Sequence, residues 1–241
     1  MTPEQKRQWY LNAMGIDQWE PRRETSESGE SLERSMPLET SNQSERIAGI
    51  ANMDWETLEA TVKNCTFCPL HQSRTHAVFG VGSKNAELLI IGEAPGMNED
   101  KQGEPFVGRA GQLLNNMLKS IGLDREKVYI ANILKSRPPK NRDPSTQEIA
   151  ACTPYLLRQI TLLRPKMLLA LGKIAAQYLL TTTLPMSRLR GQILEYGPLK
   201  TPIFITYHPA YLLRAPREKR KAWEDMLQLQ RLLSDTASKP V

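Results

Sequence analysis

The sequence predicts a three-layer α/β/α sandwich built on a four-stranded parallel sheet. Leu88–Ile91 is an unbroken apolar run, as expected of a parallel strand that is covered on both faces. Short apolar segments of this kind alternate along the chain with longer amphipathic segments. Such an alternation of strands and helices indicates a parallel sheet with helices on both sides.

The predicted elements follow one another in a regular order. A short helix over residues 54–64 precedes the first strand at 88–91, and apolar residues at helical spacing between Leu113 and Ile121 give the helix after it. The remaining elements are strand 127–132, helix 146–163, strand 166–172, helix 173–180, strand 202–207 and helix 217–233. Because open α/β sheets bind ligands at the carboxyl ends of their strands, the loops after the strands are the expected site.

The composition divides the chain into a tail, a linker and a domain. Residues 1–23 form an amphipathic segment whose tryptophans, Trp9 and Trp19, need a surface to bury against, either the chain's own domain or a partner. Residues 24–50 are rich in Ser, Glu and Thr, which is typical of a flexible linker. The folded domain is expected over residues 51–236.

The net charge of +6 is unevenly distributed. Residues 1–50 carry 6 basic and 9 acidic side chains, so the rest of the chain carries a net +9. A basic domain suits a polyanion such as nucleic acid, with a solvated surface as the alternative. No apolar run approaches a membrane span and no signal-peptide core is present. A cytoplasmic protein without a membrane partner is therefore expected.

Three ordered motifs resemble those of the family 4 uracil-DNA glycosylases, the bacterial and archaeal iron-sulfur type. They are GEAPGMNEDKQGEPFVG at residues 92–108, SRPPKNRDP at 136–144 and HPAYLLR at 208–214. The resemblance covers about residues 54–233. It implies an enzyme that flips uracil out of single- or double-stranded DNA and excises it in base excision repair.

The resemblance also implies roles for single residues. Glu93 would hold or activate the water or stabilise the sugar cation, Glu99 is a weaker candidate for the water, and His208 would stabilise the charge of the leaving uracil. Uracil would be bound by an aromatic ring, by an amide that offers both a donor and an acceptor, and by backbone N–H groups: Phe106, Asn141, Ala94 and Gly96. A core phenylalanine and a turn-supporting asparagine are the structural alternatives.

The residues after His208 are apolar where a surface loop should be polar. One of Tyr211, Leu212 and Leu213, with the two leucines favoured, would fill the gap left by the flipped base. The charges that follow, Arg214 and Arg217, would bind DNA phosphates, and a solvated helix face is their alternative role.

A four-iron, four-sulfur (4Fe-4S) cluster is a further implication of the resemblance. Three of its four cysteines match, and a serine stands in the fourth position: Cys65, Cys68, Cys152 and Ser136. Because serine oxygen is a harder and more basic ligand than thiolate, a cluster held here should be less stable. Three outcomes stay open: a retained cluster, a zinc site completed by His71 or His76, and no metal.

The tail sequence WYLNAMGIDQWEPR at residues 9–22 is similar to the N-terminal peptide of the psi subunit of the bacterial DNA polymerase III clamp loader. This similarity implies a clamp-loader or other replisome partner for residues 1–22. The alternative function is accordingly a non-enzymatic, psi-like subunit that uses the glycosylase fold as a binding module.

Overall fold

The computed structural model describes residues 39–237, which form a six-stranded sheet between two layers of helices. The strands are β1 Val81–Gly82, β2 Leu88–Gly92, β3 Tyr129–Asn132, β4 Met167–Leu171, β5 Ile193–Tyr196 and β6 Thr201–Thr206. The α-helices are α1 Glu39–Ala51, α2 Trp55–Lys63, α3 Met97–Gln102, α4 Arg109–Lys119, α5 Thr146–Leu163, α6 Lys173–Leu179, α7 Met186–Leu189, α8 Pro209–Arg214 and α9 Lys219–Ala237.

The sheet has the order β1-β3-β2-β4-β6-β5. Its four central strands are parallel, whereas β1 pairs antiparallel with β3 and β5 pairs antiparallel with β6. The predicted α/β/α class and the four parallel strands are confirmed, but the sheet is mixed and has two further edge strands. These escaped prediction because β1 has only two residues and most side chains of β5 are exposed, so neither leaves a buried apolar run.

Alternate residues of the central strands build two cores, one on each face of the sheet. On one face, Leu88, Ile90 and Leu169 pack with residues of α4, α8 and α9. On the other face, Leu89 and Ile91 pack with residues of α5, α6 and α7. Burial on both faces explains why these strands are continuously apolar.

The first helix lies where the composition predicts a flexible linker. Residues 39–50 of that stretch belong to α1, and Ile50 is buried among Leu58, Val62 and Tyr155. Arg46 of α1 also donates from Nη2 to the carbonyl of Ala151 at 2.6 Å. Residues 39–50 of the predicted linker are therefore helical, because a few contacts anchor an otherwise polar helix.

The tail predicted over residues 1–23, together with its replisome partner, lies outside the described residues, as do residues 24–38 of the predicted linker. Within residues 39–237, no helix is long and apolar enough to cross a membrane.

Candidate active site

A cleft of about 940 Å³ opens at the carboxyl ends of the four parallel strands. Each of these strands ends in a residue of the cleft wall or leads directly into one: Glu93 after β2, Asn132 at the end of β3, Gly172 after β4 and His208 beyond β6. The parallel register brings the four strand ends to the same edge. The predicted site is therefore the edge at which this cleft opens.

Glu93 is a half-buried carboxylate at the start of the loop after β2. Its backbone carbonyl accepts from the N–H of Leu134 at 3.0 Å, so the loop is fixed beside the segment that follows β3. Burial raises the pKa of Glu93 to about 7, and the negative charge of Asp143 adds to this effect. A carboxylate with such a pKa can accept a proton near neutral pH.

His208 precedes α8 and is held in a defined tautomer. The backbone N–H of Ala210 donates to its Nδ1 at 3.1 Å, so the proton of the neutral ring lies on Nε2. Burial lowers the pKa of His208 to about 4, and the charge of Arg214 adds to this effect. Gly172, at a φ of +88°, leaves room for the ring, since a Cβ there would lie 2.8 Å from the Cβ of His208.

Phe106 forms one wall of the cleft next to His208. The two ring centroids are 5.6 Å apart with an interplanar angle of 31°. Phe106 has a φ of +54°, and Arg125 holds this turn by donating to the carbonyls of Pro105 and Phe106. The strained backbone is thus fixed by a half-buried cation, and the ring of Phe106, which is only 6% exposed, lines the cleft.

Glu99 lines the cleft, and its carboxylate serves the same turn. Its Oε1 accepts from the backbone N–H groups of Val107 at 3.0 Å and Gly108 at 3.1 Å. The other oxygen lies so close to Gly96 that a Cβ at this glycine would be 2.7 Å from it. These contacts give Glu99 a structural role in holding the Phe106 turn. Ala94 and Gly96, the predicted backbone contacts to uracil, both line the cleft.

Two asparagines line the cleft, and they differ in what their amides can do. The predicted residue, Asn141, is exposed, and its Oδ1 accepts from Nε of Arg137 at 2.7 Å. Asn132 is only 2% exposed, and its Oδ1 has no hydrogen-bond partner within the described structure. Since buried amides are nearly always paired, Oδ1 of Asn132 is available to accept a hydrogen bond from a molecule bound in the cleft.

Asn132 lies directly beside the other residues of the site. A Cβ at Gly92 would be 2.3 Å from Oδ1 of Asn132 and 2.7 Å from Cζ of Phe106, so a glycine is needed where these two side chains meet. Sequence reasoning missed Asn132 because it treated this residue as the end of a strand. The signal was available, since an amide that closes an otherwise apolar strand occupies the same position as Glu93 and His208.

The prediction of a leucine wedge needs a correction at Leu212. This side chain is 1% exposed and packs in the core between α8 and the sheet, because the helical turn after His208 rotates it inward. Leu213 is partly buried, and Tyr211 is 38% exposed at the cleft with its ring 5.1 Å from that of Tyr207. Of these three residues, Tyr211 is therefore the most exposed at the cleft.

Of the two predicted phosphate-binding arginines, Arg214 lies at the cleft wall and Arg217 lies farther along the chain in the turn that leads to α9. Both side chains are exposed. Only Arg214 borders the cleft, so the phosphate-binding role of both arginines stays a prediction.

The predicted cluster ligands do not assemble a complete metal site. Among residues 39–237, no group of three or more Cys, His, Asp or Glu side chains is placed to hold an ion. Cys68 shares a hydrogen bond with Cys152, which lowers the pKa of Cys68 and raises that of Cys152. Cys65 packs in a separate apolar cluster, and Oγ of Ser136 accepts from Nη1 of Arg74 at 2.9 Å. These residues do not fit a cluster held by four thiolates.

The two histidines of the zinc alternative each contact a backbone oxygen through one ring nitrogen. Nδ1 of His71 lies 2.7 Å from the carbonyl oxygen of Cys68, and Nδ1 of His76 lies 3.0 Å from the carbonyl oxygen of Asp100. Such a contact is compatible with metal binding through Nε2, so the zinc alternative stays a prediction.

Comparison with known proteins agrees with this architecture. A sequence model of the uracil DNA glycosylase superfamily matches residues 79–227. The type-4 uracil-DNA glycosylase of Archaeoglobus fulgidus is 43% identical over 180 residues, covering 71% of this chain and 89% of that protein. The enzymes of the same name from Sulfurisphaera tokodaii and Thermotoga maritima are 42% and 43% identical, covering 73% and 66% of this chain and 84% and 83% of theirs. The chain therefore belongs to the uracil-DNA glycosylase superfamily, with type-4 enzymes among its relatives.

Proposed function

We propose that this chain is a uracil-DNA glycosylase of base excision repair that binds a flipped uracil in the cleft and hydrolyses its bond to deoxyribose. The single observation that carries this proposal is the meeting of Glu93, Phe106, Asn132 and His208 in one cleft of the glycosylase fold. Each of these residues supplies a different part of the reaction, namely proton acceptance, stacking, recognition and leaving-group stabilisation.

Recognition is assigned to Phe106 and Asn132. The aromatic face of Phe106 offers a surface on which the base can stack. The free Oδ1 of Asn132 can accept the N3–H of uracil, and its amide nitrogen can donate to O4. Cytosine presents an unprotonated N3 and an amino group at these positions, so the same amide would be left with mismatched partners.

Bond cleavage is assigned to His208 and Glu93. As the bond between C1′ and N1 breaks, uracil leaves with negative charge that spreads to O2, and the Nε2–H of neutral His208 can donate to it. Glu93 can accept a proton from the water that adds to C1′, and its carboxylate also stabilises the positive sugar. The products are uracil and an abasic deoxyribose.

The direct test uses duplex and single-stranded oligonucleotides that contain one uracil, with thymine and cytosine at the same position as controls. Treatment with the purified protein followed by alkali should cut only the uracil strands, without added Mg²⁺ or nucleotide. Cutting of the thymine or cytosine strands at a similar rate would contradict the assignment of uracil as substrate.

The two asparagines can be compared in this assay. Replacing Asn132 by alanine removes a base-edge contact, and a good pair of such hydrogen bonds is worth about 1–3 kcal/mol. We therefore expect Asn132→Ala to slow single-turnover excision by about 30-fold, and Asn141→Ala by less than about threefold because its amide is exposed and bound to Arg137. A larger loss of rate for Asn141→Ala than for Asn132→Ala would instead assign base recognition to Asn141.

For the cysteine site we propose that Ser136 prevents stable binding of a 4Fe-4S cluster. Iron should be measured on anaerobically purified wild type and on Ser136→Cys, and the variant should hold more iron because it supplies a fourth thiolate. A wild type that already contains about four irons per chain, unchanged by the substitution, would contradict this proposal.

The three free thiols also support the proposed cytoplasmic location, since disulfides are rare there.

A further inference from the structure

We infer that Lys135 is a positioning residue, which holds the uracil-recognising Asn132 in place through its backbone carbonyl. The inference rests on the proposed function, because Asn132 is the residue assigned to the base edge. Lys135 lies outside the cleft wall, so any effect on the reaction has to pass through a neighbour.

The side-chain amino group of Lys135 is almost completely enclosed. Lys135 is only 2% exposed, and no ion pair of this lysine exists among the described residues. A buried amino group is costly to desolvate, and burial lowers the pKa of Lys135 to about 7. A methionine would fill a similar volume without that cost. A lysine at such a place therefore calls for a task that an apolar residue cannot perform.

The contacts of Nζ identify the task. It donates to the carbonyl of Asn132 at 2.8 Å, to Oε1 of Gln159 at 2.6 Å and to the carbonyl of Phe79 at 3.3 Å. In its protonated form the amino group has three donors, one for each of these acceptors. Gln159 in addition donates from Nε2 to the carbonyl of Phe79 at 3.0 Å, so the four groups close a small buried network.

This network fixes the point at which β3 ends. The carbonyl of Asn132 belongs to the last residue of the strand, and the next two backbone N–H groups, of Ile133 and Leu134, bond to the carbonyls of Gly92 and Glu93. Lys135 thus anchors the carbonyl of Asn132 to α5 through Gln159, while the following residues align the strand end with the Glu93 loop. The direction of the Asn132 side chain depends on this anchor.

A double-mutant cycle separates a positioning role from a purely structural one. Lys135→Met should slow single-turnover excision of uracil about tenfold, the scale of one lost buried hydrogen bond. In the Asn132→Ala background the same substitution should slow excision by less than about twofold, because no amide is left to be positioned. The loss of melting temperature caused by Lys135→Met should be similar in both backgrounds.

Gln159→Leu provides a second route should Lys135→Met fail to fold. It removes the anchor of Nζ on α5 but leaves the lysine, and its effect on excision should likewise nearly vanish in the Asn132→Ala background. Thr153→Val is the matched control on the same helix, since its hydroxyl bonds to the carbonyl of Ile149 and to the hydroxyl of Tyr178 and does not line the cleft. It should leave excision unchanged in either background.

Equal slowing by Lys135→Met or Gln159→Leu in both backgrounds would overturn the inference while leaving the proposed glycosylase intact. Failure of the proposed function has a different signature, in which the wild type releases no uracil. In that case the inference is tested by binding alone. The dissociation constant between the protein and an oligonucleotide that contains uncleavable 2′-fluorodeoxyuridine is measured for each variant. A Lys135→Met effect on this constant that is lost in the Asn132→Ala background supports positioning, and an equal effect in both backgrounds contradicts it.

Discussion

Glu93→Gln should slow uracil excision by about 1,000-fold under single-turnover conditions, since a positioned general base contributes roughly 10²- to 10⁴-fold. The substitution keeps the shape of the side chain and removes its capacity to accept a proton or to carry negative charge. DNA binding should be little changed, because the loop around Glu93 is held by its backbone carbonyl and the N–H of Leu134 rather than by the carboxylate.

The pH profile gives the second half of this prediction. Because burial and Asp143 raise the pKa of Glu93 to about 7, the reactive carboxylate form is present above this pH and is lost as pH falls below it. The wild-type rate should therefore rise with pH and level off above about 7, while the residual rate of Glu93→Gln should lack this rise.

Glu87→Gln is the matched control for Glu93. Glu87 lies at the opposite end of the same strand, where it forms an exposed ion pair with Lys166. Its rate and pH profile should equal those of the wild type. A Glu93→Gln enzyme with an unaltered pH profile would remove Glu93 from the proton-accepting role.

His208→Ala should slow excision by about 100-fold, the usual scale for losing one donor to a developing oxyanion. The rise in rate with pH should persist in this variant, because the pKa of His208 is only about 4 and its ring stays neutral over the working range. Rates measured between pH 5 and 9 therefore separate the roles of Glu93 and His208, since only Glu93 is responsible for the rise in rate with pH.

His76→Ala is the control for the loss of an imidazole. His76 is exposed, bonds to the backbone oxygen of Asp100 and lies outside the cleft wall. Excision by this variant should match the wild type. Equal rates for His208→Ala and wild type would mean that the leaving uracil is stabilised by another group.

Burial decides how much of the fold is visible in the sequence. The four central strands are covered on both faces, so each is a continuous apolar run that can be located within one or two residues. The edge strand β5 has three exposed residues, and α1 is polar except at a few anchoring positions such as Ile50. Helices and strands that bury few side chains show no clear apolar pattern in the sequence.

The residues of the site also differ in how well the sequence predicts them. Glu93 and His208 follow strands, so the parallel sheet could be expected to bring them to one edge, and the structure places both in the same cleft. Asn132 also ends a strand and could have been assigned in the same way, whereas the position of Leu212 depends on local rotation, since one turn of α8 directs it into the core. That the buried Oδ1 of Asn132 has no partner among the described residues is visible only in the structure.

The most direct test of the central claim is to quantify the free base released from uracil-containing DNA by liquid chromatography and mass spectrometry. The wild type should release one uracil for every abasic site formed, and the Glu93→Gln/His208→Ala double variant, purified identically, should release essentially none. Strand cutting without free uracil would identify a different reaction, and equal release by the double variant would assign the activity to something other than this cleft.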